Sequence, residues 1–183
     1  MMNSTSPDVS RVLIDSVLEA LRQGEALLGE ISNDDYTRKA ALAFNASIGG
    51  HVRHCLDHFR LLLDAAESGD LDYDRRARGT LIENDRFAAL NASRDLRDGF
   101  ERLNPRCLSR PLAVTCKTSY TAAGSQSCPS TVGREIMYSV AHAVHHYALI
   151  GVIGGLLGLK LPPGFGVAPS TLCHQAETAR DRD

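Results

Sequence analysis

At 183 residues, with 43% hydrophobic and 23% charged residues, the chain has the size and composition of one globular domain, expected to span residues 1–183. Lys and Arg number 20 against 22 Asp and Glu, and the net charge of -2 excludes the strongly basic surface of a general nucleic-acid binder. The 5 cysteines, Cys55, Cys107, Cys116, Cys128 and Cys173, are odd in number and lack a C-x-x-C pair, which argues against a disulfide framework or zinc ribbon and for reduced thiols.

Residues 1–8 carry neither a positive lead nor an apolar core, so no secretory signal is expected and the reading is cytoplasmic. Ser6-Pro7-Asp8 is a helix start, and Leu13, Val17, Leu21, Leu28 and Ile31 recur at helical steps to about Glu30. Residues 32–44 read as a connection leading to Asn45 or Ser47 as the next cap. A second helix over 47–66 has Ile48, Val52, Cys55, Phe59, Leu62 and Leu63 on its apolar side. Ser68-Gly69-Asp70 stops it, and Arg75, Arg76 and Arg78 then read as a solvated loop.

A third helix over 82–103 uses Phe87, Leu90, Leu96, Phe100 and Leu103, and Asn104-Pro105 closes it. Residues 107–127 change character: a weakly alternating stretch, 112–116, leads into Ser, Thr, Ala and Gly, which predicts a short hairpin or a long loop able to overhang a site. The fourth helix opens at Pro129-Ser130-Thr131, with Ser130 as cap, and runs to Leu157. Gly151, Gly154, Gly155 and Gly158 would let another helix pack closely on its far end, in a homodimer or in the core. Its apolar run over 147–159 is shorter than the roughly 20 residues of a membrane span, so no membrane partner is expected. The tail, residues 160–183, reads as extended over 162–170 and frayed over 175–183. The fold expected from this order is all-α, an antiparallel four-helix bundle with its core over about 9–159.

Six of 7 histidines fall in two patches, His51, His54 and His58 on the second helix and His142, His145 and His146 on the fourth. Steps of three and four residues share a helical face, and His142 and His146 stand about 40° apart around the axis. A divalent ion needs several fixed nitrogen donors from more than one segment, so the pattern predicts two helices facing each other across a metal. His142 and His146 are two candidate ligands. From the second helix His54 is preferred over its rivals His51 and His58, with Asp57 placed to orient a neighbouring imidazole. His58 and His145 read as bystanders, and His174 is isolated in the tail.

Three imidazoles with an open position suit a catalytic ion better than a structural one, and zinc, nickel and ferrous iron all accept such a set. Ala143 follows His142 where a zincin protease carries its glutamate, which removes that reading. Cys55 adjoins His54 and is either a metal-activated thiol or a small buried core residue. Glu83 is a partner of the helix dipole or an approach to the site.

The histidine within Ser47-Ile48-Gly49-Gly50-His51-Val52-Arg53-His54, followed far downstream by H-x-x-x-H in Ser139-Val140-Ala141-His142-Ala143-Val144-His145-His146-Tyr147, resembles the DinB/YfiT-like metalloenzyme superfamily. The resemblance implies an up-down-down-up four-helix bundle with a three-histidine divalent-metal site, carried onto His54, His142 and His146. It further implies thiol-dependent transfer to a small electrophile, with a low-molecular-weight thiol as the small-molecule substrate. The alternative is a non-catalytic four-helix module with a structural or vestigial ion.

Overall fold

A computed structural model describes residues 9–75 and 79–180. The Ser6-Pro7-Asp8 cap and two of the three loop arginines, Arg76 and Arg78, lie outside the described residues. Among the described residues the chain is mostly helical with a small sheet of three strands, so the all-α expectation with at most a short hairpin is corrected by the further strand that pairs with that hairpin.

Helix α1 (Val9–Glu30) buries Ile14, Val17, Leu18, Leu21 and Leu28 along one stripe, the face expected from their spacing. The next stretch is more structured than a plain connection: Ser32 caps a one-turn helix, α2 (Asn33–Thr37), by accepting from the Asp35 N–H, and buries Tyr36. Helix α3 (Ile48–Ser68) starts at Ser47, whose Oγ accepts from the Gly50 N–H at 3.1 Å. It ends at Gly69, whose φ of 91° belongs to the left-handed region and turns its N–H onto the Ala65 carbonyl. Helix α4 (Arg86–Glu101) is capped by Asp85 and starts four residues later than its apolar pattern suggests, because Leu81–Glu83 form a separate 3-10 turn. Helix α5 (Val132–Leu156) is capped by Thr131 rather than Ser130, whose hydroxyl donates to Glu135 instead.

Helix α1 packs on α4 and α5, and α3 packs on the same two. The shared core includes Ile14, Leu21, Phe59, Leu62, Phe100, Ile136 and Ile150, all fully buried, with Phe59 and Phe100 edge to face at 6.1 Å. Hydrophobic burial of this kind is the main favourable term in folding.

Within 107–127, residues 111–116 and 126–127 enter a sheet of order β1-β2-β3, and 117–125 form the loop between its last two strands. Strand β1 (Asp70–Asp72) follows directly on α3 and pairs parallel with β2 (Pro111–Cys116), Leu71 opposite Val114. Strand β3 (Gln126–Thr131) pairs antiparallel with β2, Val114 opposite Cys128. Leu112 and Val114 are buried while Pro111 and Ala113 are exposed, the period-two signature of a half-buried strand. Pro129 is tolerated in β3 because that strand is an edge. The sheet thus joins the end of α3 to the start of α5, the two histidine helices.

The tail differs from expectation in its second half, where Pro169–Arg180 form an exposed helix, α6, across the stretch read as frayed. Its first half does lie on the helices. Phe165 stacks on Tyr147 at 5.0 Å, and Gly166 (φ 71°) approaches so closely that an added Cβ would stand 2.6 Å from the Ala148 nitrogen. Of the α5 glycines, Gly154 meets the tail through Leu161, whereas a Cβ added at Gly151 or Gly155 would meet nothing from another segment within 4 Å among the described residues. As formed, α5 has 25 residues and contains a stretch of 18 apolar enough to cross a membrane by length and composition, so shortness does not exclude it. A core helix meets the same test, and α5 packs on α1 and α3.

Candidate metal centre

With Ser47 as the cap, α3 turns His51, His54 and His58 toward α5, which presents His142 and His146. The structure brings these five rings together. His54 Nε2 lies 2.8 Å from His142 Nε2, and His51 Nδ1 lies 2.8 Å from His146 Nδ1. Ring centroids of His54 and His142 stand 4.5 and 4.6 Å from that of His146. One ligand nitrogen from each of His54, His142 and His146 falls within 4.8 Å of the others, and all three residues are half-buried. Imidazole nitrogens around zinc stand about 2.0–2.1 Å from the ion, so a set this close fits a common ion after small side-chain adjustments. Burial, with the charge of nearby His145, holds His51 below its usual value and so favours the neutral ring.

His145 projects outward and is exposed, and His174 is exposed on α6, as expected of bystanders. His58 also stays outside the three-histidine set, but it packs directly against it. It is buried at 5% exposure, lies 4.3 Å from the His142 ring and stacks on Tyr73 at 4.7 Å. Cys55 is a core residue, 1% exposed, and burial pushes its thiol up, away from the thiolate that activation requires.

Behind the imidazoles lies a polar network for which the sequence offered little sign. Glu135, 1% exposed in the first turn of α5, accepts from Tyr73 Oη at 2.8 Å, Ser130 Oγ at 2.6 Å and Arg134 Nη1 at 2.7 Å. A carboxylate so deeply buried is tolerable only with donors of this number and kind. Tyr73 and Tyr138 then cover the histidines from this side, Tyr138 stacking on His142 at 5.6 Å. Tyr138 was findable, since it precedes His142 by one helical turn. Tyr73 was not, because it arrives from the strand end beyond α3.

On the other side the site opens into a cavity of about 370 Å³ lined by His51, His54, His146, Lys39, Arg53 and Glu83. Arg53 donates Nη1 to Asp57 Oδ2 at 3.0 Å and turns Nε to Glu83 Oε2 at 3.2 Å. Asp57 therefore holds a guanidinium at the cavity wall. Glu83, on the 3-10 turn before α4, is an approach to the site rather than a dipole partner in α4's first turn.

No family model matches the chain. FK506-binding protein 5 of Rhizopus delemar is 38% identical over 104 residues, which cover 57% of this chain and 27% of that protein. The chain thus spans about a quarter of the length of the curated relative it matches. Among solved structures, a DinB-like protein of Bacillus subtilis, YjoA, superposes with a TM-score of 0.59 at 19% identity, over 82% of this chain and 95% of that one. The chain has a DinB-like fold, and its clustered histidines form a potential metal-binding set.

Proposed function

We propose that the chain is a cytoplasmic, single-domain metal-dependent enzyme that activates a thiol or water for transfer to a small electrophile, with His54, His142 and His146 as ligands to zinc, nickel or ferrous iron. The observation that carries this is the approach of three imidazole nitrogens to within 4.8 Å beside an open cavity. In this reading α1, α3, α4 and α5 form an up-down-down-up four-helix bundle, an arrangement supported by the packing of α1 and α3 on the same two helices.

A divalent ion, when bound, supplies Lewis acidity that makes a thiol or water more acidic near neutral pH. The chain's own residues do the rest. His51 engages His146 Nδ1 and so would turn Nε2 toward the ion, while Tyr138 stacked on His142 fixes the second ring. Tyr73 and Tyr138 exclude water from the rear, leaving the cavity between Lys39 and Glu83 as the substrate's way in.

Elemental analysis after loading and desalting tests the assignment. Wild type is expected to retain stoichiometric metal, and His54→Ala, His142→Ala and His146→Ala to lose it while His145→Ala keeps it. Wild type and variants all free of metal would sink the proposal.

A second reading, a non-catalytic module that pairs with a second copy of itself, draws on the far end of α5, where Val152 and Leu156 are exposed near Gly151 and Gly155. A Val152→Glu variant that leaves a dimeric wild type monomeric supports that end as the contact, and a monomeric wild type removes it.

A further inference from the structure

The cavity has a histidine wall and a wall of opposite charges. Arg53 is divided between two carboxylates, and it meets Glu83 from Nε to Oε2. Glu83 Oε1 lies instead toward the first turn of α3, 3.8 Å from where a Cβ on Gly50 would stand, and the side chain keeps 27% exposure. Lys39 is exposed at the same cavity and makes no ion pair among the described residues.

The loop after Lys39 is held at some conformational cost. The Ala40 N–H donates to the Ala46 carbonyl at 2.9 Å and the Asn45 N–H to the Ala40 carbonyl at 3.1 Å. The loop closes through Phe44 and Asn45, at φ 54° and 59°, a left-handed region that asparagine tolerates and phenylalanine rarely enters. This turn sets Lys39 beside Ala46, Ser47 and Gly50, where the positive end of α3 faces the cavity.

From this arrangement we infer that the cavity selects small ligands bearing a carboxylate beside an ammonium, the head group of an amino acid. Lys39, aided by the α3 terminus, takes the carboxylate. Glu83 takes the ammonium through Oε1, which has no hydrogen-bond donor among the described residues. The ligand's remaining group then points at His54 and His146. This inference rests on the metal reading for that last contact alone. A point-charge ammonium and a carboxylate in one small cavity discriminate by pairing both ends of a zwitterion, and each also repels ligands of the wrong sign.

The test uses protein loaded with cobalt(II), whose visible bands report the ion on the histidines and whose thiolate charge-transfer band reports a thiol reaching it. Four thiols are titrated: L-cysteine, cysteamine without the carboxylate, 3-mercaptopropionate without the ammonium, and 2-mercaptoethanol with neither. L-cysteine is expected to bind about tenfold tighter than either singly charged analogue, with 2-mercaptoethanol weakest. Lys39→Met should erase the advantage of L-cysteine over cysteamine, and Glu83→Gln its advantage over 3-mercaptopropionate, with the cobalt bands unchanged in both.

Equal binding of the four thiols to cobalt-loaded wild type overturns the inference. So does a preference for L-cysteine that survives both substitutions, since the ion alone would then be chelating it. Protein that shows no cobalt bands fails earlier, at the metal reading, and the two failures are told apart by that spectrum.

Discussion

The α1–α4 pair and the α3–α5 pair follow the same helical periodicity and enclose opposite contents. Along α1 and α4 the buried side chains are Leu18, Leu21, Ala89, Leu96 and Phe100, and the polar crossing is Glu25 with Arg97 and Ser93 at 2.9 and 3.1 Å. Between α3 and α5 five imidazoles converge where a bundle built for stability would place leucine and isoleucine. Spacing determines that a helix has an inner face. Residue type at the inner positions decides whether that face becomes core or site, and polar groups placed there give up stability for function.

The largest effect should come from the dry side. Phe100→Ala empties a fully buried ring position packed on Phe59 and is expected to cost about 3–5 kcal/mol in urea unfolding. A loss well under that range would mean that the α1–α4 side is no more tightly packed than the histidine side.

The network behind the histidines comes next. Tyr73→Phe removes one donor from a buried carboxylate, with an expected cost of about 1–3 kcal/mol. Urea unfolding of metal-free protein measures it, and no change would show that Ser130 and Arg134 satisfy Glu135 alone.

His142→Leu addresses the contrast itself. Metal-free protein is expected to gain about 1 kcal/mol while retained metal is lost, because an apolar side chain suits a helix interface better than a half-buried imidazole. A lowered midpoint would place the imidazoles among the stabilising contacts instead.

The smallest effect is chemical. Exposed Cys128 and Cys173 should react with a thiol reagent in the native protein, whereas Cys55 should stay silent from neutral to mildly alkaline pH. The sign follows from burial, which raises the Cys55 pKa and keeps it protonated through that range. Labelling of Cys55 before unfolding, read by peptide mass, would show that the α3–α5 seam opens.

Much of this was legible before any coordinates. The inner face of α1 and the two histidine patches follow from local spacing, and turn chemistry narrows the α3 cap to Asn45 or Ser47 and residues 107–127 to a hairpin or a long loop. The hairpin that forms extends to Thr131, across residues read as the opening of the fourth helix. Misreadings arose where distant segments decide. The tail helix α6 hides behind Pro169 and weak amphipathicity, and β1 is three residues whose pairing partner lies 43 positions away, Leu71 against Val114. The stacking of Tyr73 on His58 is likewise set by a distant segment, while His58 stays outside the three-histidine set.

The sequence by itself determined that long amphipathic helices form, that two of them carry imidazoles on one face, and that neither a zincin nor a disulfide scaffold is present in the pattern. These are properties of residues within a few turns of one another. Tertiary structure decided which histidines meet, that Glu135 and Tyr73 stand behind them, and that Lys39 and Glu83 share a cavity in front. Such contacts join residues up to about a hundred positions apart, and their geometry is set by how the whole core closes rather than by any local preference.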